Sequence, residues 1–205
     1  MQTRSNISHL NQVLISLIVG LIVVGLLASP VSAQEANNQW LAFGPQTGGT
    51  TPAVEVLSAS PEAIDVQAFM PGARFGETLI AGQRYLTLGG EGYVFDDLVG
   101  APNLPVLRRM IEVPLGAEVS LQLLQAETQT VSLSRLGMEG TIAPVQPSQP
   151  KCGDPVEPCA PSAQLYGGGF YPAEFLSISE DYIIRGHRIV VVEIRPVRYN
   201  AALGE

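Results

Sequence analysis

The chain is predicted to be all-β, an antiparallel β-sandwich of jelly-roll type preceded by a signal peptide. Three observations carry that prediction. Apolar residues recur with period two in short runs, turn residues close each run, and no window after the leader sustains an i, i+3, i+4 apolar pattern with a cap. With 21 glycines and 16 prolines in 205 residues, the chain has the punctuation of many short strands and few helices.

Residues 1–33 read as a secretory signal, with Arg4 in a basic n-region, an apolar run from Val13 to Ala28, and the small-residue box Val31-Ser32-Ala33. Cleavage is placed between Ala33 and Gln34, which sends the product to the periplasm or beyond it and leaves it without a membrane anchor. The competing reading is an uncleaved anchor, since the run approaches the roughly 17 residues that span a bilayer. Pro30 and the small residues behind it favour cleavage. The remainder has the size of one ordinary domain.

Residues 34–51 are polar and Gly-rich, and are expected to form a loose leader with one anchoring side chain, Trp40, ahead of a domain over 52–205. Strands are expected where Val54 and Val56 flank Glu55, where Ile64, Val66 and Ala68 alternate with Asp65 and Gln67, and where Leu86 and Leu88 flank Thr87. The series continues with Ile111 and Val113, then Val119, Leu121 and Leu123, then Val131 and Leu133. Turns are expected at Ser60-Pro61, Pro71-Gly72, Gly89-Gly90, Pro102-Asn103, Pro114-Leu115-Gly116 and Gly167-Gly168-Gly169. Ile189–Val192 is apolar on both faces and belongs inside, whereas Glu193, Arg195 and Pro196 mark the place where that strand is expected to reach solvent or an edge. Pro196–Glu205 then reads as a hairpin turn whose returning strand is missing, so the domain is expected to be cut short at a C-terminal hairpin.

The formal net charge of −8 argues against nucleic acid or an anionic membrane as partner, because both need clustered Lys and Arg. No Gly-x-Ser-x-Gly elbow, phosphate-cradling loop or His-Glu-x-x-His is present, and outside the signal the only histidine is His187, which reads as a turn residue entering a strand. Asp96-Asp97 reads as a solvated turn, since adjacent strand residues point to opposite faces. These absences predict no catalysis by this chain, no cofactor and no metal site.

Residues 143–162 contain Pro144, Pro147, Pro150, Pro155, Pro158 and Pro161, which predicts an exposed loop rather than a ladder. Cys152 and Cys159 lie within it and, in an oxidising compartment, are expected to pair as a disulfide. A metal site or a catalytic thiol would need partners that the chain lacks. Lys151 is the only lysine of the chain and precedes Cys152 directly, where a local disulfide would hold the backbone extended for docking into a cleft. The plainer reading of Lys151 is a solvated surface charge.

Five segments in order carry a family likeness: Gly100–Val106, Ile111–Ala117, Tyr171–Glu174, Arg185–Arg188 and Pro196–Asn200. Their "G-x-P-x-L-P", "VP-x-G-A", "YP-x-E", "G-x-R" and "PV-x-YN" patterns resemble the propeptide domain of gingipain-type (family C25) cysteine peptidases, over about residues 85–205. The resemblance implies a β-sandwich pro-segment that assists folding of the following peptidase domain, in cis or in trans after cleavage, and holds it inactive. It further implies a basic side chain presented to the specificity pocket from the variable region between the second and third segments, where Lys151 and, as the weaker candidate, Arg135 are available. The competing class is a free-standing secreted module that binds carbohydrate or a cell-surface ligand, for which Tyr166, Phe170 and Tyr171 would have to form an exposed aromatic platform.

Overall fold

The structure is a computed structural model that describes residues 39–44 and 49–205, so the expected signal, with its Ala33–Gln34 junction, lies outside the described residues. The strands are β1 (Trp40–Ala42), β2 (Ala53–Ala59), β3 (Ile64–Phe69), β4 (Gly72–Ile80), β5 (Gln83–Gly89), β6 (Val94–Phe95), β7 (Pro105–Val113), β8 (Leu176–Ile184) and β9 (His187–Ile194). One short helix, α1 (Ala163–Gly167), and a 3-10 turn at Leu133–Leu136 complete the elements. The all-β, antiparallel class expected from the alternation is therefore what forms. The sheets have strand orders β1-β4-β5, β2-β3 and β6-β7-β9-β8, and every strand pair is antiparallel.

The two longest hairpins close through two-residue turns with both central residues in the left-handed region, Ala81-Gly82 between β4 and β5 and Arg185-Gly186 between β8 and β9. That geometry matches the right-handed twist of the strands, and the glycine takes the second position without steric penalty. The main core gathers Phe75 of β4 and Leu86 and Leu88 of β5 with Leu104, Leu133, Met138, Ile142, Tyr166 and Tyr199. Much of this apolar layer thus comes from irregular segments laid against the β4–β5 sheet. The β2–β3 hairpin stands in its own sheet and leaves Val56 and Leu57 exposed.

Several expectations are corrected. Trp40–Ala42 is not loose: it pairs with β4, and Gly72 is required there because a Cβ would meet the Leu41 carbonyl oxygen at 2.3 Å and the Trp40 ring at 2.7 Å. Pro71-Gly72 consequently opens a strand instead of a free turn. The segment Val119–Leu123 forms no strand, since Ser120–Thr130 lies exposed and no neighbouring strand pairs with it. Leu133 enters the 3-10 turn, anchored by its N–H to the Gly204 carbonyl at 2.8 Å. Alternation records which face a segment could bury, and pairing needs an open strand edge as well.

The Pro-rich stretch also begins inside. Ala143, Pro144 and Val145 are buried, and Pro144 bridges Pro102 antiparallel. The two prolines face each other at a position that needs no N–H. The ladder bonds run from Asn103 N–H to Ala143 (2.8 Å) and from Val145 N–H to Ala101 (2.8 Å) on either side.

At the C-terminus, Pro196–Glu205 does not turn back along β9, whose two edges are already taken by β7 and β8. Tyr199 instead exchanges two backbone hydrogen bonds with Tyr171 (2.9 and 2.7 Å), and the Asn200 side chain caps the N–H groups of Ala202 and Leu203.

Candidate functional site: the Lys151 loop

The buried bridge at Pro102 and Pro144 is the base from which the exposed loop springs. Both stems fasten to one short segment: Gly100 N–H donates to Val145 (2.9 Å), and Ser162 N–H donates to the Gly100 carbonyl (3.0 Å). Gly100 adopts φ +83° and lies against Cys159, so the segment Gly100–Val106 directly positions the loop.

Across the loop run two side-chain rungs that the sequence reading missed. Gln146 offers its Nε2 to the Cys159 carbonyl (2.9 Å) and its Oε1 to the Cys159 N–H (3.0 Å), and Nε2 also reaches the Pro144 carbonyl (3.1 Å). Gln149 repeats the pattern on Val156, with its Nε2 on the carbonyl (3.1 Å) and its Oε1 accepting from the N–H (2.9 Å). A primary amide carries the same donor and acceptor as a peptide group, so each glutamine substitutes for a missing backbone partner. Both rungs are symmetric about the Cys152–Gly153 bond, as in a hairpin. The only sequence signal was the spacing of two glutamines, three apart, on one limb of a loop too rich in proline to pair by backbone.

The expected Cys152–Cys159 disulfide is corrected by this arrangement: both cysteines are free, Cys152 exposed at the tip and Cys159 donating its thiol to the Ala160 carbonyl (3.3 Å). The glutamine rungs close the loop in its place. Inside the inner rung lie residues 150–155, with a bend over Lys151–Asp154 instead of the extended backbone expected. Lys151 is exposed there and takes no ion-pair or hydrogen-bond partner among the described residues. Arg135 lies elsewhere, exposed in the coiled 3-10 turn that Leu133 fastens to the core.

The aromatic platform required by a binding module is not assembled. Tyr166 is buried, meets Tyr199 edge-on at 6.4 Å between centroids, and donates its hydroxyl to the Ile142 carbonyl (2.9 Å). Burial pushes its pKa upward, with the neighbouring tyrosines adding to the effect. Tyr171 donates to Asp96 (2.8 Å), and burial together with that acceptor raises its pKa as well. Phe170 is exposed and by itself, with the Arg198 guanidinium 5.6 Å from its ring centre and 5.2 Å from that of Phe175.

The Asp96-Asp97 and Glu193 expectations are corrected together. Glu193 is 2% exposed, salt-bridged to Arg108 Nε at 2.7 Å and to Arg195. Asp96 is largely buried next to Arg195 and Tyr171, while Asp97 stays in solvent. A carboxylate in the central strand can be buried because two arginines and Ser177 satisfy it. His187 is an exposed first strand residue beside Glu112 (2.6 Å). Among the described residues no group of three or more His, Cys, Asp or Glu side chains could hold a metal ion, and no helix is long and apolar enough to cross a membrane.

Comparison with known proteins bears on the family and the fold. The family described as Propeptide_C25 matches residues 45–204. Lys-gingipain HG66 of Porphyromonas gingivalis is 34% identical over 109 residues, covering 52% of this chain and 6% of the relative, and Lys-gingipain W83 of the same organism is 33% identical over 109 residues. The chain thus spans 6% of the length of the curated relatives it matches. Among solved structures, one described as giving insight into the zymogenic latency of gingipain K from P. gingivalis superposes with TM-score 0.65 at 23% identity, over 81% of this chain and 90% of that one. A complex of the P. gingivalis RgpB pro- and mature domains gives TM-score 0.62 at 23% identity, over 78% of each chain. These two likenesses are of fold.

Proposed function

The chain belongs to the C25 propeptide family, and from that membership we propose that it is the pro-segment of a secreted gingipain-like cysteine peptidase, which it helps to fold and keeps inactive by occupying the active site in the manner of a substrate. Lys151 is the residue we assign to the specificity pocket. The chain itself carries out no peptide hydrolysis in this reading; the thiolate and base belong to its partner domain.

One observation carries the assignment: the only lysine of the chain stands exposed, without a partner among the described residues, at the tip of a loop whose stems are hydrogen-bonded to Gly100, in the segment that resembles the family. A lone ammonium on a positioned loop can exchange water for charge-assisted hydrogen bonds in an anionic pocket. Preorganisation of the loop lowers the entropy that binding would otherwise lose. Arg135 sits in a 3-10 turn that Leu133 fastens to the Gly204 carbonyl, away from the long exposed loop, which makes it the weaker candidate.

The test is inhibition of a lysine-cutting gingipain-type peptidase by the separate domain. Lys151→Ala is expected to weaken inhibition by about 10- to 100-fold, the value of one or two charge-assisted hydrogen bonds, while Arg135→Ala leaves it unchanged. Equal inhibition by the wild type and Lys151→Ala would remove Lys151 from the role.

A further inference from the structure

A basic residue on an exposed loop is as much an invitation to cleavage as a means of inhibition, and the difference lies in what happens after attack. In hydrolysis the peptidase thiolate attacks the Lys151 carbonyl carbon, the bond to the Cys152 nitrogen breaks, and that nitrogen leaves as an amine after taking a proton. Water then cleaves the thioester and releases the thiolate. If the amine stays beside the thioester it can attack it instead, expel the thiolate and reform the original bond. A loop that holds both new ends in place therefore favours return over release.

The loop has the features needed to do this. The inner rung, Gln149 on Val156, joins the limb before the Lys151–Cys152 bond to the limb after it, and the outer rung, Gln146 on Cys159, does so again. Pro150 and Pro155 stand immediately inside the inner rung and restrict the backbone of the tip. Cys159 is further seated against Gly100 on the rigid base. The inner rung joins only loop residues, whereas the outer one also reaches the Pro144 carbonyl at the loop base.

We propose that Gln146 and Gln149 are positioning residues that make the Lys151 loop an inhibitor instead of a substrate, by tying the two limbs across the bond a lysine-cutting peptidase would attack. This rests on the assignment of Lys151 to the specificity pocket, but its central claim can be tested apart from it. Because Lys151 is the only lysine, a lysine-specific serine endopeptidase has a single site in the chain and yields two fragments whose ratio to intact protein gives the rate directly.

The wild type, Gln146→Ala, Gln149→Ala and the double variant are compared in that assay, with amide hydrogen exchange read at Val156 and Cys159. Each single variant is expected to free the amide facing it, and the double variant to be cut at least ~10-fold faster than the wild type while still unfolding in one cooperative transition, since the hydrogen bonds lost lie in the loop and at its base. Gln149→Glu keeps the acceptor and loses the donor, so its rate should fall between wild type and Gln149→Ala. Equal cleavage of wild type and double variant, or unaltered exchange, would overturn the proposal.

Against a gingipain-type lysine-cutting peptidase, the double variant should begin as an inhibitor and then be consumed. If Lys151→Ala inhibits as well as the wild type, the assignment of Lys151 fails while the endopeptidase result stands. If Lys151→Ala loses inhibition but the double variant remains an uncleaved inhibitor, the proposal for the glutamines fails alone.

Discussion

The cluster around Glu193 and the loop around Lys151 are both held by side chains that reach across the chain, and they use opposite chemistry. In the first, Glu193 is buried between Arg108 and Arg195, with Asp96 and Tyr171 alongside. In the second, two neutral amides bridge limbs that lie mostly in solvent. Charges withdrawn from water interact strongly and leave a large penalty if one partner is lost, whereas an exposed neutral hydrogen bond can be exchanged for water at little cost. The difference separates a part of the molecule whose loss unfolds it from a part whose loss changes only its shape. A pro-segment of the proposed kind needs both, a scaffold that persists and a loop that can be tuned without disturbing it.

The contrast is tested most severely at Glu193. Glu193→Ala leaves two arginines without their shared buried carboxylate and is expected to lower stability by about 3–5 kcal/mol, read from the midpoint of urea denaturation. A loss under about 1 kcal/mol, the scale of one exposed hydrogen bond, would place the cluster level with the glutamine rungs and erase the distinction.

Gly100, to which both stems of the loop are fastened, should show an intermediate effect. A Cβ there would lie 3.5 Å from the Cys159 sulfur and clash with nothing, so Gly100→Ala registers only the left-handed backbone at φ +83°. That costs roughly 1–2 kcal/mol, a fall of several degrees in melting temperature for a domain of this size. An unchanged melting temperature would mean that the loop base yields to the substitution.

The smallest effect belongs to an exposed pair. Arg188 binds Asp181 through two hydrogen bonds (3.0 and 2.6 Å), and these hold the Asp181 carboxyl below its ordinary pKa. Because the folded value is the lower one, the pair favours the fold above the ordinary carboxylate pKa, and the contribution disappears as pH falls through the lowered value. Arg188→Gln should return the Asp181 titration, followed by NMR, to the ordinary range and remove that acid-side dependence. A curve that does not move would show that the pair is absent in solution.

Much of the fold was legible because alternation is a local property. Val54–Val56, Ile64–Ala68, Leu86–Leu88 and Ile111–Val113 all fall within strands, and Val190–Val192, apolar on both faces, lies buried in the central strand as expected. The same local signal misled at Val119–Leu123, where alternation met no open edge, and at Glu193, where a charge was read as a mark of solvent although two arginines from other positions awaited it. Of the candidate site, the exposed Pro-rich loop and the lone lysine on it were legible from composition. The glutamine rungs were not, since an amide that replaces a backbone partner looks in sequence like any other polar loop residue.

By itself the sequence determined the class of the fold, the places of several strands and turns and the single lysine on a proline-rich loop, because period-two burial and the φ restrictions of proline and glycine act residue by residue. Only the tertiary structure decided which carboxylate is buried, how Pro102 and Pro144 share a ladder, and what closes the loop around Lys151. Those outcomes depend on groups far apart in the chain arriving within hydrogen-bonding distance, and no local pattern specifies that meeting.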